Sequence, residues 1–319
     1  MLCGPDSEPR GQSVQPNRPF EAADAAKRRF FLGGLALAII GSVFFSAKAI
    51  VVKLAYRYGV DATTLIALRM VSAAPFFAIA YVWASRGRVP LTGRDHLHLT
   101  LIGIIGYYVA SYLDFLGLQY ITAGFERLIL YLNPTIVLLL SALLLGKRLT
   151  RLDGISLVLA YGGIAFVFWH DVSFVGNSVP LGAALVFGSA VTYAIYLSWS
   201  GELVRRIGAI RLTSYAMLAA TAAVVIQFLV LNPLAALQQP LPVYWLSLVN
   251  GTFCTVLPVF AMMLAVERVG AGNASLASMV GPVSTIALAF VFLGETVSVW
   301  QLIGTALVLA GVFVLTRKR

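Results

Sequence analysis

The chain has 319 residues, 60% of them hydrophobic and only 11% charged, against roughly 45–50% and about 25% in soluble domains. That balance excludes a water-soluble globular protein, which would lack polar surface. The formal net charge of +10 raises nucleic acid or anionic lipid as partners, but the basic residues lie between apolar runs and not on one domain, which argues against nucleic acid.

Residues 1–29 are polar and rich in Pro, Gly, Ser and Gln, the composition of a disordered cytoplasmic tail. No small-residue cleavage site follows the apolar run that starts near Phe30, so that run reads as a membrane helix and not as a signal peptide. Ten apolar segments follow: 30–56, 62–85, 97–120, 124–145, 152–169, 180–201, 212–231, 243–266, 271–293 and 298–316. Most reach the ~20 residues a helix needs to cross ~30 Å of hydrocarbon. Helices are required there, because backbone groups in lipid must bond within the segment. Continuous apolarity excludes a β-barrel, whose strands alternate. The expected fold class is an all-α integral membrane protein with ten transmembrane helices.

Lysine and arginine set the orientation. With the N-terminus in the cytoplasm, most of the 23 basic residues fall on that side. They include Arg86, Arg88 and Arg94 in the second loop, Lys147, Arg148 and Arg151 in the fourth, and Arg205, Arg206 and Arg211 in the sixth. Only Arg57 lies in a loop on the opposite side. Both termini are therefore expected in the cytoplasm.

One stretch occurs twice. Residues 123–167 and 271–315 align without a gap at an offset of 148, which pairs Ala123 with Ala271, Gly124 with Gly272, Pro134 with Pro282, Gly146 with Gly294 and Gly163 with Gly311. Each copy has a small turn, an apolar helix interrupted by proline, a glycine turn and a second apolar helix. The chain is thus read as two tandem five-helix repeats, over 30–169 and 180–316. Five is odd, so the second repeat must enter the membrane from the opposite face, and the repeats are inverted.

The pattern P-x5-L-x4-L-G-E, followed by G-x-x-L-x-x-x-G, resembles the second half of an EamA domain, the repeat unit of the drug/metabolite transporter superfamily. Pro282, Leu288, Leu293, Gly294, Glu295, Gly304, Leu307 and Gly311 match it. The first copy departs from it, with Lys147 in place of the glutamate and Ser156 in place of the first glycine. The resemblance spans about 30–316. It implies ten membrane helices and the transport of small metabolites across a bacterial inner membrane.

Several charges lie where lipid would reject them. Lys48 and Lys53 fall in the first helix, Arg69 in the second, Asp114 in the third, and Glu126 and Arg127 at the start of the fourth. A mid-helix charge costs about 2.5–3.5 kcal/mol on insertion scales, so it faces protein or water. Counted inward at ~1.5 Å per residue, Lys48, Arg69 and Asp114 share one level roughly 9–12 Å below the outer helix ends, with Glu126, Arg127 and Lys53 above them. An Asp114–Arg69 ion pair is the structural alternative to a binding role. The second repeat has Ile195, Ala216, Met262, Ala274 and Ser275 at the matching positions. In the third helix Tyr108, Tyr112 and Phe115 share one face, while Tyr107, Ser111 and Asp114 share the next. In the sixth, Tyr193, Tyr196, Trp199 and Ser200 cluster. Pro134, beside Asn133, and Pro282, beside Gly281, interrupt the equivalent helices, where proline frees a carbonyl and kinks the chain.

These features lead to a carrier that exports small amphipathic metabolites, with aromatic or hydrophobic amino acids first among them. Its substrate site comprises Lys48, Arg69, Tyr108, Tyr112, Asp114, Asn133, Tyr193 and Trp199. Lys48 or Arg69 would take a carboxylate, and Asp114 or Glu126 an ammonium. Pro134, Pro282, Glu126 and Arg127 are the gating and hinge candidates. The alternative is a broad-range exporter of drugs or lipophilic cations. No catalytic constellation, metal-ligand spacing or Walker-type loop occurs in the sequence, so neither an enzyme nor a cofactor is expected. The expected partners are a small-molecule substrate and the lipid bilayer, with the chain acting as a monomer.

Overall fold

The computed structural model describes residues 18–146, 149–175 and 178–317. Most of the tail, together with Lys147, Arg148, Lys318 and Arg319, lies outside the described residues. Ten helical segments are long and apolar enough to cross a membrane. In chain order they are α1 (Arg28–Tyr56), α2 (Ala62–Ser85), α3 (Gly93–Gly117), α4 (Ala123–Leu143), α5 (Arg151–Val172), α6 (Val179–Gly201), α7 (Ala209–Leu231), α8 (Leu241–Gly270), α9 (Asn273–Leu293) and α10 (Val299–Thr316). Among the described residues there is no strand, and the chain is a multi-pass membrane protein.

Two boundaries differ from expectation for local reasons. The helix of α1 continues back to Arg18, so the end of the expected tail is helical. Its alanine-rich FEAADAAKRR stretch favours helix, and Pro19 sits in the first turn, where proline is tolerated. Helix α3 starts at Gly93 and not at residue 97, because Thr92 and Asp95 form a reciprocal capping box.

Contacts between the halves recur when the halves are exchanged. Helix α1 packs on α8 and α9 as α6 packs on α3 and α4, and α2 meets α8 as α7 meets α3. The pairs α2–α7, α4–α9 and α5–α10 join equivalent helices. Small residues permit the closest approaches. A Cβ on Gly103 would lie 2.6 Å from the Ala216 carbonyl oxygen, and one on Gly251, 148 residues later, would lie 2.7 Å from that of Arg69. In the α5–α10 seam Gly163 faces Gly304, and Gly311 faces Ser156. Ser156 replaces a motif glycine and donates its hydroxyl to the Gly311 carbonyl at 2.7 Å. Gly146 and Gly294 close α4 and α9 in the left-handed region, at φ 63° and 70°.

Helical irregularities repeat as well. A π-helical turn interrupts α3 over Ile104–Val109 and α8 over Thr252–Val256. Such turns mark places where a helix surface is re-aimed, frequently at functional sites. Helix α4 breaks between Ala123–Leu130 and a second piece that begins at Asn133, and α9 breaks at Met279. Both breaks fall just before the prolines.

Candidate functional site: a charged cavity between the repeats

The halves enclose a cavity of about 620 Å³. Four charged side chains from the first repeat line it: Lys48, Arg69, Asp114 and Arg127. The π-helical turns of α3 and α8 contribute, through Gly106 and Tyr107 on one side and Cys254 and Thr255 on the other. At the end of the molecule that carries the Gly59 turn, the cavity is sealed by inter-repeat contacts. Lys53 pairs with Glu295 at 2.7 Å, Glu295 also accepts from the Ala123 amide, and Arg57 donates to the Leu293 carbonyl. Toward the other end the lining continues to Val204 and Ala209, next to Ile207, whose carbonyl accepts from Arg88.

At the centre, Lys48 donates to Asp114 Oδ2 at 2.5 Å and lies 3.3 Å from Glu126 Oε1. All three are buried, and Glu126 is 0% exposed. One ammonium thus serves two carboxylates. The level of Glu126 differs from the sequence reading, which put it near the mouth. Residues 123–129 are all buried beneath the Lys53–Glu295 seal, so Glu126 enters the protein one turn deeper and joins the Lys48 level. Arg69 does not pair with Asp114, which Lys48 occupies. Instead Arg69 donates to Ser111 Oγ at 3.2 Å, and its guanidinium lies 5.0 Å from the centre of the Phe115 ring.

Arg127 was placed at the mouth by depth counting, yet it lines the cavity. Its guanidinium sits 4.8 Å from the Phe45 ring centre and 5.4 Å from that of Tyr131. It makes no hydrogen bond or ion pair among the described residues, and its buried Nε lacks a partner. Asn133 and Pro134 line the cavity, and the Asn133 Oδ1 is buried without a partner. Pro282 is buried but outside the lining.

Of the aromatic candidates, the structure brings in Tyr193 and leaves out Tyr108, Tyr112 and Trp199. The Asp114–Lys48 bond selects the α3 face that holds Tyr107 and Ser111. Tyr108 and Tyr112 consequently turn away and stack on each other at 6.5 Å, against the cluster containing Phe115. Trp199 is 42% exposed beside His98. The aromatic wall is formed by Tyr107, Tyr193 and Tyr196, with Tyr107 OH donating to Tyr196 OH at 3.1 Å. Sequence reasoning missed Ser42 and Tyr131 in the lining, Ser46 behind it, and the role of Glu295. The signal that was present is the glycine pair Gly103 and Gly251 at the 148 offset, which marks the two crossings where Gly103 meets the Ala216 backbone and Gly251 meets that of Arg69.

The profile of the EamA-like transporter family matches residues 32–169 and 180–317. "Uncharacterized transporter YcbK" of Bacillus subtilis (strain 168) is 32% identical over 294 residues, which are 89% of this chain and 92% of that protein. The "Probable terminal-alkyne amino-acid exporter" of Streptantibioticus cattleyicolor is 25% identical, over 82% of this chain and 85% of that protein. A solved chain described as "Crystal structure of protein" has the same fold, with a TM-score of 0.63 at 19% identity, covering 89% of this chain and 98% of that one. Duplicated architecture, family profile and relatives agree: the chain belongs to the EamA-like transporter family and is a membrane transport protein.

Proposed function

We propose that this chain is a carrier that exports small amphipathic organic solutes, amino acids with aromatic or hydrophobic side chains first, across a bacterial inner membrane. Transport proceeds by alternating access between two inverted five-helix repeats, with both termini in the cytoplasm. The observation that carries this reading is the cavity between the repeats. It joins a tyrosine wall to buried ionisable groups, the mixture that holds an amphipathic solute. The seal at Lys53–Glu295 and the continuation of the cavity toward Val204 and Ala209 support a state that faces the cytoplasm. The name of the Streptantibioticus relative supports the amino-acid class.

Proteoliposome counterflow with tryptophan, threonine and a quaternary ammonium dye, run side by side, tests the substrate class. Tryptophan is expected to exchange fastest. Movement of the dye alone would replace this reading with a broad exporter of lipophilic cations. Orientation is tested by fusing a periplasm-active reporter after Arg319. The expected result is no activity, and activity there would rule out a cytoplasmic C-terminus.

A further inference from the structure

We infer that the solute bound in this cavity is a net monoanion, an organic acid whose carboxylate docks on Arg127, and that an ammonium group on the solute is not required. The inference rests on the carrier reading above and, within its small amphipathic solutes, moves the first place from zwitterionic amino acids to organic acids.

Charge inventory supports it first. The site holds three cations, Lys48, Arg69 and Arg127, and two carboxylates, Asp114 and Glu126, all of them buried. Both carboxylates lie within ion-pair distance of Lys48. Neither arginine has a carboxylate within that distance among the described residues. The ionised cluster therefore carries one surplus positive charge, and a proton taken up by either carboxylate would raise it. A buried charge is tolerated when it is paired. A monoanion neutralises the site, a zwitterion leaves the surplus in place, and a cation adds to it.

Local geometry points to Arg127 as the seat. Its planar group lies against Phe45 and Tyr131, which leaves the N–H edge for a ligand. A guanidinium edge matches a carboxylate through two parallel hydrogen bonds. Arg69 already donates to Ser111 and contributes mainly through its field. The second repeat leaves room for this arrangement, because a Cβ on Gly281 would stand only 2.9 Å from Arg127 Nη2. Asp114 Oδ1 and both Glu126 oxygens lack a hydrogen-bond partner, but Lys48 lies within ion-pair distance of both carboxylates, so a solute ammonium would meet that cation there.

Three indoles separate the charges: indole-3-propionate has only the carboxylate, tryptophan has both groups, and tryptamine has only the ammonium. Their affinities are measured on the purified full-length chain by thermal shift and calorimetry. Indole-3-propionate is expected to bind at least as tightly as tryptophan, and tryptamine not to bind. Arg127→Gln should weaken indole-3-propionate by about tenfold to a hundredfold. Arg127→Lys keeps the charge without the planar fork and should weaken it less, while preserving the preference for the acid. That variant carries the test if Arg127→Gln does not fold. Tryptamine binding as tightly as the acid, tryptophan binding at least tenfold tighter than the acid, or no binding of any of the three would each overturn the inference. The carrier reading fails on a separate measurement, the proteoliposome flux, so the two failures are distinguishable.

Discussion

The broken helices α4 and α9 occupy equivalent places and treat the same defect in opposite ways. Pro282 cannot donate to the carbonyl four residues earlier, that of Ser278. Ser42 donates to this carbonyl at 2.7 Å, and Tyr131 donates to it as well. Ser46 reaches the neighbouring Gly281 carbonyl at 2.9 Å. In α4, Pro134 likewise frees the carbonyl of Leu130, and no side-chain donor among the described residues meets it. Beside it Asn133 faces the cavity with an unpartnered oxygen, where α9 has Gly281.

The difference separates scaffold from chemistry. The break in α9 is pinned by hydroxyls of α1 and α4, and Gly281 is small because Ser42, Arg127 and Tyr131 crowd the space a Cβ would take. The break in α4 borders the cavity with unsatisfied polar atoms. Every lysine, arginine and carboxylate in the cavity lining also comes from the first repeat. The second repeat supplies Met262 and Ser275 at the positions of Asp114 and Arg127, and both line the same cavity. One repeat carries the charges, and the other shapes the space around them.

The largest effect should come from unbalancing the charged side. Lys48→Ala strands two carboxylates and should cost about 3–5 kcal/mol of stability, read as lost expression and a lower melting temperature. The triple variant Lys48→Met, Asp114→Asn, Glu126→Gln removes the stranded charges and should recover the fold. Failure of the triple variant would mean that the cluster packs in a way charge does not explain.

Making α9 resemble α4 comes next. Gly281→Asn places a Cβ 2.7 Å from Ser42 Oγ and 2.9 Å from Arg127 Nη2, an overpacking that typically costs about 1–3 kcal/mol. The reverse change, Asn133→Gly, opens space and should lower melting by much less. Equal losses for both, measured on purified protein, would erase the proposed division between the breaks.

The α5–α10 seam gives a smaller and graded contrast. A Cβ at Gly304 would stand 2.2 Å from Val167 Cγ2 and 2.8 Å from the Gly163 carbonyl, so Gly304→Ala should cost about 1–3 kcal/mol. At the equivalent position Ser156→Ala removes one buried hydrogen bond, worth about 1 kcal/mol. Thermal melts of the two variants rank them.

The smallest equilibrium effects belong to the prolines. Pro134→Ala and Pro282→Ala should leave folding and affinity near the parent and slow turnover, with Pro134 the more sensitive because its break lacks the hydroxyl clamp. Stopped-flow exchange in proteoliposomes checks this. Normal turnover in both would make the breaks static.

The membrane class, the ten helices, the duplication and the family were legible in the sequence because they depend on local composition and on spacing along one chain. Segments of ~20 apolar residues have few alternatives in lipid, and an offset of 148 shared by Pro134, Gly146 and Gly163 survives any folding detail. The presence of Lys48, Arg69, Asp114 and Arg127 in one cavity was partly legible too, since buried charges must find one another. Tertiary structure decided the pairing. Lys48 took both Asp114 and Glu126, leaving Arg69 to Ser111 and Arg127 to two aromatic rings, and helix depth does not encode which helices become neighbours. It also chose Tyr107 over Tyr108, although the Tyr108 face of α3 is the more aromatic in sequence, because the Asp114–Lys48 bond turns the neighbouring face toward the cavity. Lys53 met Glu295 from the other repeat, 242 residues away, a contact that exists only once the two halves have packed.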